Sequence, residues 1–175
     1  LNCLIPTHYT STALEAAGAY GFALRRALLG AGMEEILAAA YEGAARLAAK
    51  APWQTCAPSC AARIAVWEKR AAALTEGELL DELYSLYGTG LPSADVCGAV
   101  FAIFMAAGRD VFRALCTAAS VGGDTDTIAA LAGGLCAAYA SGHNIPDDII
   151  TDVGRANGLE FERLAGLCAT GGKDE

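Results

Sequence analysis

Apolar positions recur along this chain at helical spacing, with no stretch of strand-like alternation. Thr12 and Glu15 suit a capping box, and Leu14, Ala17, Gly21, Leu24 and Leu28 follow as a first apolar stripe. Met33, Ile36, Leu37, Ala40, Ala44, Leu47 and Ala48 form a second, with Glu34, Glu35, Glu42 and Arg46 on other faces and Pro52 closing it. Ser59 predicts the cap of a third helix carrying Ile64, Trp67, Ala71 and Leu74. Thr75 and Glu78 predict a further capping box ahead of Leu79, Leu80, Leu83 and Leu86. Asp110 suits the cap of a short helix with Val111, Leu115 and Ala118 inside. Pro146 suits a helix start and Asn157-Gly158 its end, leaving Phe161, Leu164 and Cys168 to face inward on a last helix.

Two segments have no polar face at all. Between Ala94 and Ala107 the only charge is Asp95, and between Ile128 and Ser141 there is none. Helices apolar all round belong in the middle of a bundle, covered by amphipathic neighbours. The pattern therefore predicts a compact, all-α, multi-helix bundle with two central apolar helices. No low-complexity linker or fixed-period repeat divides it, so residues 1–175 read as a single domain.

Composition narrows the function classes. The chain has 175 residues, 54% apolar and 18% charged, which suits a packed core and argues against disorder. A net charge of -8 disfavours binding to nucleic acid, because no basic patch would offset phosphate repulsion. Charge-free, glycine-free runs are too short for a membrane span. Seven cysteines, with Cys97, Cys116, Cys136 and Cys168 inside helical patterns, suit reduced, buried thiols in a cytoplasmic protein. Cys56 and Cys60 are the one close pair, and no second nearby Cys/His pair completes a zinc site. The chain opens on Leu1 without a leader pattern, which suits part of a longer polypeptide.

The chemistry concentrates in "SVGGDTDTIAALAGG", Ser120 to Gly134. Asp124, Asp126 and Thr127 sit where a central helix begins, and Asp and Thr are favoured caps that also complement the helix dipole. One cap residue would suffice, however, and a second carboxylate at a buried helix entry needs a partner. Clustered hard oxygens are what Mg²⁺, Mn²⁺ or Ca²⁺ require, and the glycine pair would let the backbone turn tightly around an ion. A calcium EF-hand is excluded, since Ile128 stands at the fifth loop position and Ala129, not glycine, at the sixth. Capping and metal binding both remain open on these residues alone.

The wider string "GGDTDTIAALAGGLCAAYASGHNIP", Gly122 to Pro146, resembles the C-terminal signature of the ADP-ribosylglycohydrolase family. Upstream, "GTGLPSADVCGAVFAIFMAAGRDVFRALCTAAS" is similar to that family's preceding helix pair, and "PTHYTSTALEAAGAYGFALRRAL" to its Thr-His segment and alanine-rich helix. The resemblance implies an all-α fold with a centre of two Mg²⁺ ions, Mn²⁺ being able to replace them. It implies Asp124, Asp126 and Thr127 as metal ligands, with Asp126 bridging, and His8 near bound ADP-ribose. No catalytic residue beyond the metal ligands is implied, and His143 receives no role. The implied reaction is hydrolysis of the glycosidic bond joining ADP-ribose to a protein side chain or small acceptor. A non-catalytic relative with a binding or structural role, as in crystallin-like members, is the alternative.

The family's other ligands lie in an N-terminal Thr-Asp-Asp-Thr/Ser element. This chain has no such element, and "PDDI", Pro146 to Ile149, occupies a different place. The resemblance therefore implies the C-terminal portion of such an enzyme, with half of the active site supplied by a missing N-terminal segment or chain.

Overall fold

The computed structural model describes Asn2 and residues 4–169. Those residues form an all-α structure of nine α-helices: α1 (Ser11–Leu28), α2 (Met33–Ala48), α3 (Cys60–Arg70), α4 (Glu76–Glu82), α5 (Ser93–Ala107), α6 (Val111–Ser120), α7 (Thr125–Ala140), α8 (Asp147–Asn157) and α9 (Phe161–Ala169). A 3₁₀ turn, Ala71–Ala73, follows α3, and a π-helical turn, Leu83–Tyr87, follows α4. The chain divides into two compact units, residues 1–143 and 144–175. No helix among the described residues is long and apolar enough to cross a membrane.

In the first unit α5 is the centre. Ten of its residues, including Phe101, Ile103 and Phe104, are buried, and it packs against α1, α3, α6 and α7. Burying each such aromatic or aliphatic side chain contributes about 1.5–3 kcal/mol. The second apolar helix, α7, buries Ile128, Ala132, Leu135 and Cys136 against α1, α5 and α6, while Ala130 and Gly134 stay open.

α1 and α2 form an antiparallel pair whose closest approach is glycine on glycine. A Cβ on Gly18 or on Gly43 would lie 2.1 Å from the other's carbonyl oxygen. This contact turns the small side of α1 inward: Ala13, Leu14, Gly18, Ala19, Ala23 and Ala27 are buried. The predicted stripe is corrected accordingly, since Gly21 is exposed and Leu28 is 69% exposed. Close backbone approach favours alanine over leucine at the seam.

The caps are partly as expected. Ser59 caps α3, Asp110 caps α6, and Thr75 with Glu78 forms a complete capping box on α4. The Thr12–Glu15 box does not form. Thr10 caps α1 instead, and Glu15 reaches across to accept hydrogen bonds from Ser59 Oγ (2.7 Å) and the Ala61 amide (3.1 Å) at the start of α3. A carboxylate there also complements the α3 dipole. Leu86, expected inside, is exposed, because the π turn, closed by Gly88 N–H donating to the Leu83 carbonyl, changes the helical register.

In the second unit α8 starts after Pro146 and ends at Gly158 in the left-handed conformation, as the sequence predicts. Phe161, Leu164 and Cys168 do not face inward: α9 buries none of its residues. The thiols also divide. Cys60, Cys97 and Cys136 are buried, whereas Cys56, Cys116 and Cys168 are exposed; Cys3 lies outside the described residues.

Candidate active site

The acidic stretch is a turn held open by two glycines. Gly122 and Gly123 have φ of +79° and +70°, the left-handed region that only glycine enters cheaply. A Cβ on Gly123 would lie 2.2 Å from the Thr89 carbonyl oxygen, and one on Gly122 would lie 2.9 Å from the Tyr84 ring. The pair thus lets the turn press against the segment after the π turn, a different task from wrapping an ion. The Asp124 amide donates to that same Thr89 carbonyl at 2.7 Å. Thr89 is itself buried, so the contact is shielded from water.

Asp124 occupies the N-cap position of α7 without making a side-chain cap bond. Its carboxylate accepts from Thr127 Oγ1 at 3.0 Å. Asp126 takes the backbone instead. The Thr127 amide is the main cause holding its carboxyl below the usual carboxylate range, followed by a hydrogen bond to the Asp124 carboxyl and by its own amide. The two carboxyl groups flank the start of α7, one accepting from a hydroxyl and the other from backbone amides. Helix-start hydrogen bonds thus account for Asp126, while Asp124 is held by the Thr127 hydroxyl and makes no bond to a helix amide.

Asp124 and Thr127 open into a cavity of about 370 Å³. α1 lines it with Ala13, Ala16, Ala17 and Tyr20; α5 with Ser93, Val96, Cys97, Val100 and Phe101; the 88–92 loop with Leu91. His8 is at the same cavity, exposed, with Nδ1 2.8 Å from Thr7 Oγ1. Asp126 is exposed and does not line the cavity wall. Two of the three predicted ligands and the predicted substrate residue thus share one concavity, with Asp126 on its outer side.

Sequence reasoning missed Tyr20. Its hydroxyl donates to the Leu131 carbonyl at 3.2 Å, and burial, then the nearby Cys136, pushes its pKa up. The available signal was the spacing Ala13, Ala16, Ala17, Tyr20, one helical face of small residues that leaves room for a ligand. Cys56 and Cys60 diverge, one exposed and one buried with its thiol 3.9 Å from the Thr12 carbonyl, so they do not form half of a zinc site.

Tested as a metal site, the turn offers two carboxylates two residues apart and a hydroxyl bonded to one of them, hard oxygen donors suited to Mg²⁺ or Mn²⁺. Among the described residues no third His, Cys, Asp or Glu joins them. The residues fit one side of such a cage.

The chain is 30% identical over 162 residues to an Escherichia coli (strain K12) protein named "Uncharacterized protein YegU", covering 91% of this chain and 48% of that one. The chain thus spans about half the length of the curated relative it matches. No solved structure matches it. A family model, ADP-ribosylglycohydrolase, matches residues 2–174, nearly every residue from the His8 segment through the acidic turn to α9, and the chain therefore belongs to the ADP-ribosylglycohydrolase family.

Proposed function

We propose that the cavity between α1, α5 and α7 binds an ADP-ribose conjugate and that the protein hydrolyses its glycosidic bond with the help of divalent metal ions. The observation that carries this reading is the opening of Asp124 and Thr127 into the cavity that His8 also borders. Family membership supports a glycohydrolase acting on ADP-ribose; the ion, the linkage and the residue roles are part of the proposal.

Asp124, Asp126 and Thr127 would hold Mg²⁺, with Mn²⁺ as a substitute; the role of Asp126 as the ligand shared by two ions is carried by the family resemblance. A hard divalent ion bound there supplies positive charge that orients ribose hydroxyls and favours ionisation of a water. The chain's own residues bind and exclude. The Ala13, Ala17, Val96 and Val100 side of the cavity offers apolar surface that displaces water, while His8 stands at the rim to contact the ADP-ribose moiety.

Mg²⁺ takes about six oxygen donors, and this turn supplies three groups. The family match over residues 2–174 gives no support to a missing half. The chain spans about half the length of its curated relative, and that length is what supports the proposal that further ligands come from outside these residues.

The test is release of ADP-ribose from arginine- and serine-linked ADP-ribosyl peptides, followed by chromatography with Mg²⁺ or with EDTA. Asp126→Ala in the protein is expected to abolish Mg²⁺-dependent release, and wild-type turnover by that variant overturns the metal reading. Residues 1–175 alone are expected to bind Mg²⁺ weakly and hydrolyse nothing. Hydrolysis by them alone would remove the need for outside ligands.

A further inference from the structure

The segment between the π turn and α5 is both a wall of the cavity and the surface on which the acidic turn rests. Leu91 lines the cavity, and the Thr89 carbonyl receives the Asp124 amide. One guanidinium ties the two ends of this segment. Arg63 Nη1, from α3, donates to the Tyr87 carbonyl at 2.6 Å, pairs with Asp95 Oδ1 at 2.9 Å, and lies 3.4 Å from the Ala94 carbonyl. Tyr87 precedes the loop; Ala94 and Asp95 follow it. The side chains of Arg63 and Asp95 are only 14% and 20% exposed, so salt screens this pair less than a surface pair.

Neighbouring glycines are cut to fit the pair. Gly88 has φ +84°, and a Cβ there would lie 2.7 Å from Asp95 Oδ2. Gly98, inside α5, leaves a path for the Arg63 stem, since a Cβ there would stand 3.2 Å from Arg63 Cδ. A lone charge in an otherwise apolar helix thus has a partner, two carbonyls beside it and space reserved on both sides.

We infer that Arg63 and Asp95 are positioning residues for the acidic turn: by fixing both ends of the 88–92 loop they set the Thr89 carbonyl to which Asp124 is anchored. The purpose of that positioning rests on the glycohydrolase reading; the mechanical link does not. The competing role is a plain staple between α3 and α5, which would affect overall stability and nothing particular at Asp124.

The test is amide hydrogen exchange by NMR on Asp95→Asn, Arg63→Lys and Gly98→Ala, with Mn²⁺ titrated alone as a second readout. Asp95→Asn keeps the shape and loses the charge, and Arg63→Lys keeps the charge and loses the reach to two carbonyls. The Asp124 amide is expected to exchange about tenfold faster in both, while Ala39 and Ala40 in α2 keep their protection. Gly98→Ala, which displaces the arginine stem slightly and is the variant safest for folding, is expected to fall between them and the parent. Mn²⁺ affinity is expected to fall in the same order, by about fivefold or more in the strongest variant. Asp124 exchange that merely follows global stability in all three variants overturns the inference. If the parent binds no Mn²⁺ yet Asp124 exchange responds, the metal reading falls and the link stands. If Mn²⁺ binds and neither readout responds, the link falls and the metal reading stands.

Discussion

Gly123→Ala isolates the contact on which the acidic turn depends. The new methyl would stand 2.2 Å from the Thr89 carbonyl oxygen and 2.6 Å from its Oγ1, where 3.0 Å is already closer than real Cβ atoms come. The two backbones must therefore separate by roughly 1 Å, which takes the 2.7 Å hydrogen bond from the Asp124 amide past useful length. Losing that bond costs about 0.5–1.5 kcal/mol. Holding alanine at φ +70° adds roughly 1–2 kcal/mol, so a destabilisation of about 1.5–3.5 kcal/mol is expected. The assay is urea unfolding, read as a lower midpoint at unchanged slope. Gly21→Ala is the matched control, because an exposed α1 glycine with nothing within 4 Å of its Cβ position should gain up to about 1 kcal/mol. If Gly123→Ala unfolds at the parent's midpoint while Gly21→Ala behaves as stated, the turn is not fixed by Thr89.

Three further outcomes follow from the same structure. Thr75→Ala is expected to cost about 1 kcal/mol at neutral pH through loss of the α4 cap. Hydrogen bonds from Thr75, side chain first, hold Glu78 below the ordinary carboxylate range. A lowered folded-state pKa means stabilisation present above that range and lost as pH falls through it, so the parent-to-variant gap in unfolding midpoint should narrow in acid. Alkylation at about pH 8 with mass-spectrometric readout should label Cys56, Cys116 and Cys168 first, since thiolates react and buried thiols resist ionising. Cys136 should resist labelling: burial, and then the charge of Asp110, pushes its thiol up to about 12. Tyr20→Phe should lose about 1 kcal/mol with its hydrogen bond to Leu131; unchanged unfolding would mean that bond is negligible.

Periodicity identified the helices because apolar spacing is a local signal, and the charge-free stretches marked α5 and α7 as those packed on several sides. It misjudged α1, since a glycine-to-glycine crossing depends on a partner helix the pattern cannot specify. It also misjudged Leu86, because a π turn differs from an α turn by one hydrogen-bond step and not by residue type. The Asp-Thr-Asp-Thr motif stood out by chemistry alone. Tyr20, Thr89 and Arg63 did not, since each matters through a tertiary contact: with Leu131, with Gly123, and with Asp95 across α3 and α5. Glu15 belongs with them, a helix cap by composition that serves a different helix.

The glycine seam between α1 and α2 reaches further than the hairpin it joins. α1 is shared: one side meets α2 at Gly18, and another carries Ala13, Ala16, Ala17 and Tyr20 into the cavity. A single methyl at Gly43, which does not line that cavity, would act as a shim behind the wall, tilting α1 toward its opposite neighbours and narrowing the ligand's room. The bore of the pocket is therefore gauged from its far side, by two residues with no side chain at all.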